Sequence, residues 1–376
     1  MPKLRFDQIA INSTEKKKPT ESDKDTYIGL EHLDSGVLEV TRWGSEVAPV
    51  GDKLVMRKGD VLFGRRRAYQ KKVAIAPFDG IFSAHGMVLR PRIEVITPEF
   101  FPFFISSDYF LDAAIQISVG SLSPTINWRD LCKLEFNIPT IDEQRQVAGI
   151  LWGMNRLRTA YTALLQQTDE LVKSQFIEMF GDPIDNPMGW PRMPFSETCS
   201  LVTGNTPPRA NKAYYGDYLE WIKSDNISTS SMHLTHAAEC LSKEGAEVGR
   251  IVHAGAILMT CIAGSLNTIG NIALADRDVA FNQQINAFIP TQYEPLFLYY
   301  LLMLIRPQLH EAASSALKCI LNKGNLERMI AILPDRAAQR RFSSIAAHAD
   351  KSKLAIRQSI ESLEKSRNAL MNGIFG

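Results

Sequence analysis

The sequence predicts a mixed α/β (α+β) chain written twice: two globular blocks, each followed by one long helix. Three observations carry that expectation. Words recur at a fixed offset, each copy ends in a long segment with apolar residues at heptad spacing, and short apolar strand candidates punctuated by Gly and Pro fill the rest. Ile138-Pro139 recurs 195 residues on as Leu333-Pro334, Gln144-Arg145 as Gln339-Arg340, Phe180-Gly181 as Phe375-Gly376, and Asn127 with Leu131 as Asn322 with Leu326. Upstream the match drifts. Gly59-Asp60-Val61-Leu62 answers to Gly255-Ala256-Ile257-Leu258 at 196, Phe82 and Pro91 answer to Phe281 and Pro290 at 199, and Tyr27-Ile28 lies in a setting like Trp221-Ile222. A period this long lies outside the range of solenoid repeats and means tandem duplication of a whole domain.

In chain order, Asp60-Val61-Leu62-Phe63, Lys72-Val73-Ala74-Ile75 and Met87-Val88-Leu89-Arg90 are strand candidates of the first block, and the apolar run from Glu99 to Gln116 has helix length. No Pro interrupts 142–180 or 335–376; each segment follows a Pro and carries an early acid, Asp142 and Asp335, which favours a helix start. Ile150, Leu157, Leu164 and Leu171 step by seven, with Val147, Met154 and Tyr161 as a second row, which predicts a coiled-coil seam. In the second block Ala256 to Thr260 and Asn271 to Ala275 are strand candidates, and an apolar helix runs from Glu294-Pro295 to Ile305. The last segment, 335–376, opens on Asp335 and steps by seven through Phe342, Ala349, Ile356, Leu363 and Leu370. At 1.5 Å per residue, about 39 residues make a rod of about 58 Å. Two core helices of one large domain are the alternative.

Composition narrows the class. With 45% hydrophobic and 22% charged residues the 376-residue chain is globular, and its length predicts two or three domains. Cys132, Cys199, Cys240, Cys261 and Cys319 form no Cys-x-x-Cys pair, which excludes a disulfide scaffold or zinc ribbon and points to a reducing compartment. Met1 opens on Pro2-Lys3-Leu4-Arg5 with no apolar signal core behind it, and the most apolar run, Pro295 to Ile305, is about half a membrane span. The expectation is a soluble, cytoplasmic protein. A net charge of +1 argues against a uniformly basic coat but not against local patches.

One such patch is marked. From Arg57 to Lys72 the chain carries Arg57, Lys58, Arg65, Arg66, Arg67, Lys71 and Lys72 against Asp60 alone, with Tyr69 among them. Arg and Lys neutralise phosphates, and Arg reads guanine edges. A solvated basic loop is the plain alternative. The aligned stretch of the second block, Cys261 to Asn267, has no charge. That block instead offers Arg209, Asn211, Lys212, Tyr214, Tyr215, Lys223, Asp225 and Asn226, and Asn282-Gln283-Gln284 where the first has Ser83-Ala84-His85. Gln and Asn pair with adenine, and ordinary loop capping is their alternative. Catalytic words are scarce: no Gly-Lys for a Walker A loop, no Gly-x-Ser-x-Gly, one Glu-x-Lys in a polar stretch, and His233 with His236 unaccompanied by further metal ligands. Asn205-Thr206-Pro207-Pro208 has the wrong order for a methyltransferase motif and reads as a turn.

Two divergent blocks alternating with two similar helices resemble the specificity subunit of type I restriction–modification systems. Lys58-Gly59-Asp60-Val61-Leu62-Phe63-Gly64-Arg65-Arg66 resembles the opening to a core strand of a target-recognition domain, and Ile138-Pro139 with Glu143-Gln144 the entry to a spacer helix. Gly204-Asn205-Thr206-Pro207 leading to Tyr214-Tyr215-Gly216 and Trp221-Ile222-Lys223 resembles the start of another such domain, while Ala338 stands where Glu143 has its counterpart. The resemblance implies recognition domains at 1–138 and 183–333, helices at 139–182 and 334–376, and antiparallel helices related by a pseudo-two-fold. It implies a non-catalytic chain in which each domain reads half of a split, asymmetric site on double-stranded DNA. Two methyltransferase subunits that use S-adenosylmethionine to modify adenine N6, and restriction subunits that use ATP and Mg2+, are the partners implied. No cofactor is expected on this chain. The DNA-contact candidates are Arg65, Arg66, Arg67, Tyr69, Lys71, Lys72, His85, Arg209, Lys212, Tyr214, Tyr215, Lys223, Gln283 and Gln284. A coiled-coil scaffold that binds proteins without DNA specificity explains the helices but not the basic loop, and an enzyme fused to its own reader lacks the motifs.

Overall fold

The computed structural model describes residues 2–227, 231–314 and 320–375, so Met1, Cys319 and Gly376 lie outside it. The chain divides into two compact units, one of Met1–Thr162 with Gln358–Gly376, the other of Ala163–Arg357. Each unit joins one globular block to parts of both long helices.

In the first unit, Ala10–Ser13, Met87–Pro91, Val61–Phe63 and Val73–Ile75 form an antiparallel sheet in that order. A second sheet orders Lys16–Lys17, Lys53–Met56, Gly80–Phe82 and Tyr27–Ile28, the last pair parallel. Lys3–Arg5 pairs with Glu135–Asn137 and closes the block at the foot of the long helix. The helix-length run from Glu99 is two helices, Phe101–Ser106 and Asp108–Gln116. Ser107 divides them because its hydroxyl accepts from Phe110 N and caps the second. Phe6, Phe104, Phe110 and Phe136 interlock in the core and Phe375 stacks on Tyr109 at 4.7 Å, so the last turn of the second long helix is part of this unit.

The second unit repeats the scheme. Cys199–Thr203, Ile285–Pro290, Ile257–Thr260 and Ile272–Leu274 form a sheet of the same order, and Leu219–Ile222 lies parallel to Val279–Phe281 as Tyr27–Ile28 does to Gly80–Phe82. Pairing of Ile222 with Phe281 and of Ile28 with Phe82 explains why those words recur. Gly59 and Gly255 both have φ above +90° while donating to Ala76 O and Ala275 O, a turn that strains any residue with a Cβ. The second unit adds Cys240–Leu241 and Tyr215–Gly216 at one edge of its second sheet. Phe180, the counterpart of Phe375, packs with Phe176, Phe297 and Phe342.

The long helices are Ile141–Phe180 and Arg336–Phe375. Thr140 N and Oγ donate to Glu143 at the first start. At the second, where Ala338 replaces that Glu, Asp335 takes the cap and accepts from Ala338 N at 2.8 Å. The repeated Gln is a buried clasp in each copy. Gln144 donates to Val95 O and Pro139 O and accepts from Thr97 N, while Gln339 donates to Pro334 O and Gln292 O and accepts from Glu294 N. In the second unit the helices run antiparallel, since Asp169 bonds Lys353 while Phe176 packs on Phe342 further along.

The seam of the first helix departs from the heptad expectation. Ile150, Leu157, Leu164 and Leu171 are exposed, Leu171 by 66%, the second row of Val147, Met154 and Tyr161 is half-buried, and the buried positions are Gln144, Ala148, Leu151, Asn155, Val172, Phe176 and Phe180. A heptad step fixes a periodicity but not which apolar row faces inward, and the more inward row here includes an Asn and an Ala that hydropathy passes over. In the second helix Phe342 is buried and Ala349, Ile356, Leu363 and Leu370 are half-buried, as expected. No helix among the described residues is long and apolar enough to cross a membrane.

Candidate nucleic-acid interface

In the first block the basic turn leaves the core strand Val61–Phe63 through Gly64, and its side chains part company. Arg66 and Arg67 are exposed. Arg67 sits at φ +54° with its N–H on Pro124 O, while the backbone of Arg66 bridges to Thr125, so the segment Ser123 to Thr125 braces the turn. Arg66 Nη1 lies 3.4 Å from His85 Nε2, and its backbone N–H donates to His85 O. Burial, then the charges of Arg66, Arg65 and Lys53, hold the His85 imidazole below its ordinary range. Arg65 is half-buried beside Ala84 O, with its Nε enclosed and unpartnered. An open cavity of ≈ 250 Å³ brings Arg65 together with Lys16 and Lys53, a basic lining in which only Arg65 was anticipated from sequence.

Tyr69 is exposed on the same turn. Lys71 and Lys72 point elsewhere. Lys71 Nζ lies 2.6 and 2.8 Å from Asp108 and Asp112 on the helix Asp108–Gln116, and Lys72 Nζ donates to Leu30 O. These two fasten the turn to the block, a use of charge that composition does not separate from DNA contact.

In the second block a different set converges. Gly204 packs so close to Phe281 O and Asn282 O that a Cβ would lie 2.5 and 2.2 Å from them. That approach lays the following turn over Trp221, whose indole N–H donates to Asn205 O at 3.2 Å. Arg209 then sits 4.7 Å from the Tyr215 ring and 4.9 Å from the Trp221 ring, and Lys223 5.1 Å from the latter. Tyr215 is fixed by donating to Pro207 O at 2.6 Å. Both cations meet on Glu239, Arg209 Nη1 on one oxygen at 2.7 Å and Lys223 Nζ on the other. The hydrogen bonds from Lys223 and Arg209 hold the Glu239 carboxyl below the usual carboxylate range.

Gln283 is exposed and accepts from the Thr206 hydroxyl, which ties it to the same turn. Gln284 accepts from Asn282 Nδ2 and its carbonyl takes the N–H of Cys261, so it shapes the loop. Lys212 and Tyr214 stand on the adjoining short helix Lys212–Tyr214, Lys212 exposed and Tyr214 half-buried. Asn226 is buried and accepts from Lys223 N. His233 and His236 diverge, one to Asp350 and the other to Glu220, and among the described residues no His, Cys, Asp and Glu group is arranged to hold a metal. Glu239 escaped sequence reading because it lies in the edge addition peculiar to the second block, beyond the reach of the repeat.

Two blocks that repeat one four-stranded sheet while differing in their second sheet and polar surface define a duplicated chain with two unlike globular surfaces. A family model described as the type I restriction modification DNA specificity domain matches residues 9–167 and again 187–365. The chain belongs to that family, and its role is that of a specificity subunit, the DNA-recognising part of type I restriction–modification systems. It is similar to the type I restriction enzyme HindI specificity subunit of Haemophilus influenzae, 23% identical over 330 residues that cover 66% of this chain and 70% of the relative. Its fold is similar to that of the type I restriction–modification S subunit from M. genitalium, with a TM-score of 0.60 at 14% identity, covering 100% of this chain and 96% of the other. A chain solved in a study of complex assembly and conformational transition of the type I R-M system gives a TM-score of 0.56 at 21% identity, covering 100% and 97%.

Proposed function

We propose that each globular block reads one half of a split, asymmetric site on double-stranded DNA, and that the chain itself is non-catalytic. What carries the reading is the contrast between a shared four-stranded sheet order in both blocks and two unlike polar surfaces: Arg65, Arg66, Arg67, Tyr69 and His85 on one block, Arg209, Lys223 and Gln283 on the other. A frame kept constant while its surface chemistry varies suits two readers of different sequences. Lys212, Tyr214 and Gln284 serve as flanking contacts or loop supports in this scheme. Lys71 and Lys72 position the basic turn rather than meeting phosphate.

The exposed apolar row of the first long helix supports docking of partner chains, since Ile150, Leu157, Leu164 and Leu171 stand in water in the single chain. The partners proposed are two methyltransferase subunits, supplying S-adenosylmethionine for adenine N6 methylation, and restriction subunits supplying ATP- and Mg2+-dependent cleavage. This chain binds none of those cofactors, and the assembly works in the cytoplasm.

The test is duplex binding by the full chain across a salt series. Phosphate contacts steepen the dependence by about 0.9 in log–log slope each. Changing Arg65, Arg66 and Arg67 together to Ala is expected to weaken binding and flatten the slope by about two to three. Unchanged affinity and slope would remove the basic turn from the interface.

A further inference from the structure

We propose that Glu239 is a specificity-determining residue, and that Arg209, Glu239 and Lys223 together read the major-groove edge of a G·C pair rather than the phosphate backbone. The inference rests on the DNA-reading role proposed above for the second block. It starts from the charge pattern. A phosphate-binding patch gathers cations and excludes carboxylates, yet here one carboxylate lies between two cations and takes one on each oxygen. A phosphate arriving at Arg209 would stand within a few ångströms of Glu239 and meet like-charge repulsion there. A base edge carries no net charge and meets no such repulsion.

The donor and acceptor pattern points further. Arg209 spends Nη1 on Glu239 and keeps its other guanidinium donors, while both its neighbours in the stack are aromatic rings. A guanidinium held over two rings has lost much of its rotamer freedom before binding. Guanine presents two adjacent acceptors, O6 and N7, that suit such a fork, and its partner cytosine presents the N4 amino donor beside them. Glu239, with lone pairs not used by its two cations, accepts from that amino group. A·T offers no pair of adjacent acceptors, so the Arg–carboxylate combination favours G·C. Lys223 keeps the carboxylate ionised and in place by holding its other oxygen.

The same edge is not available in the first block. Its second sheet ends at Lys16–Lys17 and Tyr27–Ile28, without the Tyr215–Gly216 and Cys240–Leu241 strands that bring Glu239 beside Trp221. The triad therefore belongs to one half-site only.

The experiment selects bound sequences from a pool of random-sequence DNA duplexes with the full chain, and measures the salt slope on the selected duplex. Glu239→Gln and Arg209→Lys are compared with the native chain, with thermal melting as the check on folding. The expected result is loss of preference at one G·C position of one half-site, about tenfold for each variant. The other half-site is retained and the salt slope is unchanged. Arg209→Lys keeps the charge, so a phosphate contact predicts no change in selected sequence for it. For Glu239→Gln a phosphate contact predicts tighter binding with a steeper slope. Either outcome overturns the proposal, as does an unaltered selection by both variants, which would make the triad a surface ion pair. If the native chain selects no sequence, the DNA-reading role of the block fails, and this inference with it; selection that survives in the native chain but ignores both variants sinks the inference alone.

Discussion

Replacing Gln144 tests what fastens a recognition block to its helix. Its side chain is fully buried and makes three hydrogen bonds to backbone, accepting from Thr97 N at 2.7 Å and donating to Val95 O and Pro139 O at 2.9 Å each. Methionine fills nearly the same volume but pairs with none of them, leaving one N–H and two carbonyls without this partner. An orphaned buried group costs about 1–3 kcal/mol, and carbonyls with a second lone pair fall at the low end, so Gln144→Met is expected to cost about 3–5 kcal/mol. With a urea m-value of about 2–3 kcal/mol per molar, the unfolding midpoint drops by more than about 1 M at unchanged m. Gln144→Ala adds a cavity and costs more. Gln339→Met is expected to cost less, because its contact to Gln292 O is stretched to 3.4 Å. The assay is urea unfolding followed by far-ultraviolet circular dichroism. A loss below about 1 kcal/mol for Gln144→Met would refute the reasoning, because two buried polar groups and a part-buried carbonyl cannot be left unpaired so cheaply.

Two further outcomes follow from the helices. His233 Nε2 lies 2.8 Å from Asp350 Oδ2, with Asp276, Arg357 and Lys353 as the charges around them. The hydrogen bond to Asp350 raises the imidazole from its ordinary 6.5 and the bond from His233 lowers the carboxyl from its ordinary 3.8. The His contribution is present below its unfolded pKa and lost as pH rises through the raised folded value, and the Asp contribution is lost as pH falls through the depressed one. Asp350→Asn should therefore lower the melting temperature most near pH 5–6, by about 1 kcal/mol of stability given the partial exposure, and least near pH 9; an offset constant across that range would contradict it. Separately, Leu157→Asp with Leu164→Asp should leave melting and duplex binding of the single chain intact while weakening co-purification with a methyltransferase subunit. Full retention of the partner would remove that row from the docking surface.

The duplication was legible because it is written in residues with strict local duties. Gln144 and Gln339 are buried clasps, Gly59 and Gly255 occupy positive-φ turns, and Phe180 and Phe375 plug equivalent cores, so substitution at any of them is costly. The central strands were legible because they are short apolar runs buried on both faces, as Val61–Phe63 and Ile257–Thr260 are. The inward row of the first helix was not, since an Asn tied to Glu39 and an Ala occupy it while leucines face water. At the candidate interface, residue type marked Arg65, Arg66, Arg209 and Lys71 alike and could not show that Lys71 pairs with Asp108 and Asp112 while Arg209 pairs with Glu239. Glu239 was invisible because its meaning comes from two cations distant in sequence.

The central claim is that the two blocks read DNA independently. It is tested by replacing residues 183–333 with the equivalent block of a relative and mapping methylated adenines in a host that supplies the methyltransferase subunit. The account expects a two-part methylation motif in which one half changes and the other is retained. A motif altered in both halves, or in neither, would contradict it.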